Sequence, residues 1–303
     1  MSNYELRQNE LNVPLKTCDQ CDLVWVEGTD APTLDSIITG DNSHAPPPAP
    51  TRHESPLGKL FTTEPLTETG WKLIPALIGL PIECGTSKLK NHPIATWITT
   101  ALLVAVLIMI MGKSDLEALK KVVNHWALLP GQPFRNGGLT IITSFFLHAG
   151  WAHLLGNIYF LLVFGDDMED SLGWIGFIAL LTAGHIGGMM LQLLVTSHWD
   201  IPILGASAGI SAVLGCYAII HAKKRLGWFV MVPFTWRCMI LRVPALAVLA
   251  AYAGLQAFHA IQAAGQEGGG VAYSAHLGGL AVGALWGMAV MHRKNAPEQT
   301  KPI

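Results

Sequence analysis

The chain has 303 residues, 51% of them apolar and only 13% charged, and its mean hydropathy of +0.40 is too high for a surface that faces water all round. This composition excludes an ordinary soluble globule and predicts a membrane protein. A net charge of −2, with no long basic run, gives no reason to expect a nucleic-acid partner.

The first residues, MSNYELRQNE, contain no short apolar segment with a small-residue cleavage site, so no removable signal peptide is expected and insertion falls to internal spans. Residues 1 to 44 are polar and carry Cys18 and Cys21, the one close pair among five cysteines; Cys84, Cys216 and Cys238 are scattered, which is not the spacing of a disulfide framework. Residues 45 to 92 read as a linker, because APPPAP at Ala45 to Pro50 sustains neither a helix nor a central strand. Within it WKLIPALIGLPIE, from Trp71, is too short to cross about 30 Å of hydrocarbon and is placed at the interface.

Residues 93 to 292 resolve into six long apolar runs, near 94 to 112, 140 to 164, 172 to 195, 203 to 221, 243 to 263 and 271 to 291. Each approaches the roughly 20 residues of a spanning helix, and none alternates in polarity as the strands of a membrane barrel do. The prediction is an all-α membrane protein of six transmembrane helices, with a small, mostly irregular N-terminal region and a tail at 293 to 303. Basic residues are retained on the cytoplasmic side. Lys88, Lys90, Lys223, Lys224, Arg225, Arg237, Arg242, Arg293, Lys294 and Lys301 on one side outweigh Lys113, Lys120, Lys121 and Arg135 on the other, so both termini are predicted cytoplasmic. The expected setting is a bacterial inner (plasma) membrane.

Ionisable and amide side chains inside a bilayer are costly unless they face protein or a wet cavity, so His148, His153, Asn157 and His276 are candidates for function. Any one of them alone is equally well explained as a hydrogen bond between helices, worth about 1 kcal/mol. Ser207 lies in LGASAGISAVLG, shortly after Pro202 and hence near the outer end of the fourth span. An isolated serine there usually bonds back to its own helix. Gly205, Ala206, Ala208, Gly209 and Ala212, however, strip this helix of bulk and let another backbone approach. The last span, VAYSAHLGGLAVGALWG, offers a matching seam in Ala272, His276, Gly279 and Gly283.

His276 lies as far from Val271 as Ser207 does from Pro202, and both spans run inward, which brings the two side chains to one level. A serine hydroxyl needs a base within about 3 Å, and imidazole is the usual one. His153 and Asn157, in FFLHAGWAHLLGNIYF, share one helical face, and with the backbone N–H of Ser207 they supply the donors an oxyanion needs. His148 lies just before them, near the membrane surface. The Ala-rich fifth span beside the GQEGGG loop is the expected side for a substrate to approach.

From about Leu116 to Met291 these residues resemble the rhomboid family of intramembrane serine proteases. LHAGWAHLLGNIYFLLVFGDDMED is similar to the family's second helix and following loop, GASAGISAVLG to its nucleophile helix and AHLGGLAVG to its histidine helix. The resemblance implies a six-helix rhomboid bundle and a serine-type endopeptidase cutting in or next to transmembrane helices of membrane-protein substrates, with no cofactor. It makes Ser207 the nucleophile and His276 the general base and acid, puts His153 and Asn157 at the oxyanion positions, and leaves His148 and Gly205 in support. The family works as a dyad, and no Asp or Glu lies in the fourth or sixth span. The segment 113 to 139 resembles its first loop. One departure is Ala208, where the residue after the nucleophile is commonly glycine in the family.

NVPLKTCDQCDLVWVEGTDAPTLDSI resembles the second half of a transcription factor IIB-type zinc ribbon, but the first CxxC is missing. A closed zinc site needs four ligands, so Cys18 and Cys21, even with Cys84, are expected to form a degenerate ribbon without tightly bound metal. Two other functions compete. A rhomboid-like pseudoprotease would bind membrane helices without cutting them, but such proteins typically lose the serine or the histidine. A transporter with a histidine proton relay often shows a repeated half, and the first three spans do not resemble the last three.

Overall fold

In the computed structural model, residues 2–8, 11–17, 24–25, 61–62, 80–83, 89–112, 116–232, 237–263 and 270–295 are described. They fall into two units, Met1–Gly58 and Lys59–Ile303. The first contains a three-stranded antiparallel sheet of β1 (Ser2–Gln8), β2 (Leu11–Thr17) and β3 (Val24–Trp25), in that order. Leu11, Val13 and Leu15 alternate with Asn12, Pro14 and Lys16, the period of a strand, where the sequence reading expected mostly irregular chain. Cys18, Cys21 and Cys84 lie outside the described residues.

The second unit is mostly helical. After β4 (Phe61–Thr62) and β5 (Ile82–Glu83) come α1 (Ile94–Met111), α2 (Leu116–Trp126), the short α3 (Leu139–Thr143), α4 (Trp151–Val195) and α5 (Ser207–Ile220). Strands β6 (Arg225–Val232) and β7 (Arg237–Pro244) form an antiparallel hairpin, followed by α6 (Ala245–Ala263) and α7 (Tyr273–Asn295). Among the described residues four helices, α1, α4, α6 and α7, are long and apolar enough to cross a membrane, and α5 is a shorter apolar helix.

Their surfaces show why the composition is so apolar. On α1, Thr99, Leu103, Leu107 and Ile110 recur at helical spacing and face the interior, while Trp97, Ile98, Leu102 and Met109 remain exposed. A helix that is apolar on both faces needs lipid on the outer one. The N-terminal N–H groups of α1, which have no partner within the helix, are capped from a distance by the carboxylate of Glu169: Ala95 N and Thr96 N donate at 2.9 and 2.8 Å, and Thr96 Oγ1 at 2.9 Å.

With 45 residues, α4 would reach about 68 Å if straight, twice a bilayer's hydrocarbon core. Gly173 breaks it, at φ 71° and ψ 162°, into legs 151–172 and 174–195. That left-handed φ favours glycine. The expected span 140 to 164 is therefore not one helix. Residues 139–146 form α3 and a 3-10 turn, Leu147 is extended, and the long helix starts only at Trp151, so His148 precedes it.

The all-α expectation also needs correction, since β6 and β7 join β4 and β5 in a four-stranded sheet ordered β4-β7-β6-β5. RLGWFVMV is rich in β-branched and aromatic residues and RCMILRVP adds Ile240 and Val243, whereas the sequence reading took these stretches as a basic connection and the edge of the fifth span. Val243 and Pro244 accordingly end β7 instead of opening a span.

At the centre is α5, where every residue from Ala208 to Ala218 is buried. It packs between α4 and α7 through small residues. A methyl group added at Gly279 or Gly283 of α7 would overlap the carbonyl oxygen of Ala208 or Ala212, and one at Gly184 of α4 would overlap the Ala212 side chain.

Candidate active site

Ser207 opens α5, and the chain leading to it is fixed by backbone hydrogen bonds to the preceding segments. Ile203 and Leu128 exchange bonds of 2.7 and 3.0 Å, and Gly205 N donates to Ser144 O at 2.8 Å. Gly205 has φ +119°, and a Cβ there would stand 2.8 Å from His153 Cε1. Conformation and crowding thus both call for glycine at this position.

His276 sits in the first turn of α7, nine-tenths buried. Its Nε2 lies 2.8 Å from Ser207 Oγ, and its Nδ1 lies 2.8 Å from Oε1 of Gln256 on α6. The start of α7 is held from α4 as well, because Ala275 N donates to Gln192 Oε1 at 3.2 Å. The small-residue seam brings the backbones of α5 and α7 close enough for the Ser207–His276 bond to form.

Asn157 and His153 occupy successive turns of α4. His148, from the extended stretch before that helix, lies 2.8 Å through Nε2 from Asn157 Nδ2 and 3.3 Å through Nδ1 from Phe146 O. One proton arrangement serves both contacts: Nδ1–H donates to the carbonyl, and Nε2 accepts from the amide. Asn157 is thereby oriented with a second N–H to spare. The His148 and His153 rings meet edge to face with centroids 5.0 Å apart.

These groups border a cavity of about 1040 Å³, whose lining includes His153, Asn157, Ser207, His276, Gln192 and Tyr252. The loop residues Thr196, Ser197 and His198 and Val271 at the head of α7 also line it. The structure thus gathers Ser207, His276, His153, Asn157, His148 and Gly205 at one place. It adds two amides that the sequence reading passed over, Gln192 and Gln256. Gln256 shares its span with Tyr252, His259 and Gln262, so the sequence alone does not mark it out from them.

A family model described as the Rhomboid domain matches residues 135–293. Over 155 residues the chain is 32% identical to Rhomboid protein 1, mitochondrial, of Saccharomyces cerevisiae, a match covering 49% of this chain and 41% of that protein. It is 29% identical over 75 residues to RHOMBOID-like protein 5 of Arabidopsis thaliana, covering 25% of this chain and 24% of that one. Less than half the length of either relative is thus spanned.

Proposed function

The chain belongs to the rhomboid family, whose model covers more than half of it, and from that premise we propose that it is an intramembrane serine protease with Ser207 as nucleophile and His276 as general base and acid. It is an integral membrane protein. The observation that carries the proposal is the 2.8 Å contact between Ser207 Oγ and His276 Nε2 at the wall of a cavity. A pseudoprotease has no need of such a pair.

In the proposed reaction, Ser207 Oγ attacks a peptide carbonyl as His276 Nε2 takes its proton. The imidazolium then returns that proton to the leaving amine. Water, activated by the same imidazole, hydrolyses the acyl-enzyme. The developing oxyanion is met by the Ser207 backbone N–H, the free N–H of Asn157 and His153. Ala208 follows the nucleophile where glycine is common in the family, and its methyl group is fully buried against Gly188 of α4, so it narrows the α4–α5 contact.

The substrates we propose are membrane proteins cut in or next to a transmembrane helix. A helix must unwind locally to present its carbonyl, because its backbone groups are already paired. We propose six crossings, by α1, the two legs of α4, the shorter α5, α6 and α7. In the proposed topology, which rests on the bias of basic residues, both termini are cytoplasmic. The expected bacterial plasma membrane draws no support from the relatives, which come from a yeast and a plant, the yeast protein being named as mitochondrial.

A fluorophosphonate probe tests the pair. It is expected to label the native chain on Ser207 and to leave Ser207→Ala unlabelled. Equal labelling of both, or of neither, would remove the assignment.

A further inference from the structure

We propose that Gln256 is a positioning residue for the dyad: from α6, its amide oxygen holds His276 in the tautomer that leaves Nε2 free to take the Ser207 proton. This rests on the protease reading above. A neutral imidazole carries one proton and serves as the serine's base only if that proton is on Nδ1. Nδ1–H then needs an acceptor, and Gln256 Oε1 stands 2.8 Å away. With the amide turned round, its N–H would donate to Nδ1 and the ring proton would move to Nε2. Ser207 would then face a donor instead of a base. Only one orientation of the amide is therefore compatible with the 2.8 Å Ser207 contact working as a nucleophile–base pair.

The placement of Gln256 is as specific as its bond. Of the buried residues of α6, Ala245, Val248 and Leu249 are apolar and Gln256 is the one amide; Tyr252 and Ala253 pack partly buried against the core, and His259 stacks on Tyr273 of α7. A buried amide without a partner costs several kcal/mol in an apolar medium, about as much as its hydrogen bonds can return. Leu255, Phe258 and Ile261 around it remain exposed. The cavity lining includes Ser207 and His276 but not Gln256, which therefore acts through the imidazole and not on substrate. An amide also orients the ring without placing a charge in a buried site, which a carboxylate would do at a cost in desolvation. Among the described residues, the titratable groups near His276 include Tyr273 on its own helix, at 6.4 Å between ring centroids, His153 of α4, and from α6 Tyr252, which lines the same cavity, and His259, which stacks on Tyr273. No Asp or Glu lies in α5, α6 or α7. Because the bond comes from α6, moving that helix outward uncouples the base from its orienting group.

The test compares the full-length native chain, Gln256→Leu and Gln256→Glu in liposomes, reading kcat, KM, pH profile and melting temperature, with the His276 tautomer from 15N NMR. Gln256→Leu is expected to lower kcat about 10- to 100-fold, as loss of a group orienting a functional imidazole does, with KM and melting held. Its His276 should show mixed tautomers. Gln256→Glu should restore the Nδ1–H form and most of kcat, with the acidic limb of the profile displaced to higher pH. An unchanged kcat and tautomer in Gln256→Leu would overturn the proposal. Should that variant fail to fold, the native spectrum decides: Nδ1–H supports the proposal and Nε2–H overturns it. If the native chain cleaved nothing while Gln256→Leu alone lost the Nδ1–H form, the protease reading would fall and the positioning role would stand.

Discussion

A serine hydroxyl at the head of an apolar helix is inert until its proton has somewhere to go, and at Ser207 the route proposed is the 2.8 Å contact with His276. The opposite wall of the site is built around Asn157. Its amide donates to His148 Nε2 at 2.8 Å, and His148 is tied in turn to Phe146 O, so two residues outside the reaction fix where the remaining N–H of Asn157 lies. Such preorganised donors stabilise charge only as it develops. Asn157→Ala is therefore expected to lower kcat about 100-fold, with KM nearly unchanged, in a cleavage assay at constant pH. An unaltered kcat would exclude Asn157 from the oxyanion site. The sequence singled out His153, Asn157, Ser207 and His276 because polar groups in apolar spans stand out and because they lie in motifs that resemble the rhomboid family's, and the structure brings them together. Gln256 was not singled out: its partner lies on another helix, and no spacing within its own span points to it.

At the scale of elements, the distance between hydroxyl and imidazole is set by the seam of α5 against α7. There Gly279 lies against the backbone of Ala208, and an added methyl group would overlap that carbonyl oxygen. The two helices must then separate, and misplacement by about 1 Å costs on the order of 100-fold in rate. Gly279→Ala is expected to lose about that much kcat and to melt at a lower temperature in detergent. Full activity with an unchanged melting curve would show that the seam does not set the dyad distance. The seam could be read from the recurrence of small residues at helical spacing. The break at Gly173 could not, because the turn sits within GDDMEDSLGW, where hydropathy alone indicates a polar loop and the chain is in fact helical on both sides of the glycine. The β6–β7 hairpin escaped for a related reason: its apolar runs were read as connection and span edge, and pairing between strands is not visible in hydropathy.

At the scale of the whole helical unit, the described residues turn hydrophobic surface outward, while polar groups gather inward around a cavity. Trp97, Leu102, Leu194 and Ile261 stay exposed, whereas His148, Asn157, Gln256 and His276 are buried. This inversion of a soluble protein suits a bilayer as solvent, and it concentrates costly side chains where the proposed hydrolysis needs water. The membrane class was evident from composition alone. The cavity was not legible there, because its walls come from helices far apart in the chain. The central claim is that the hydroxyl and the imidazole work together on a membrane-embedded peptide bond. Its most direct test is cleavage of a transmembrane model substrate in liposomes by the native chain, Ser207→Ala and His276→Ala. The account predicts product from the native chain and a loss of at least about 1000-fold in each variant; equal product from all three would contradict it.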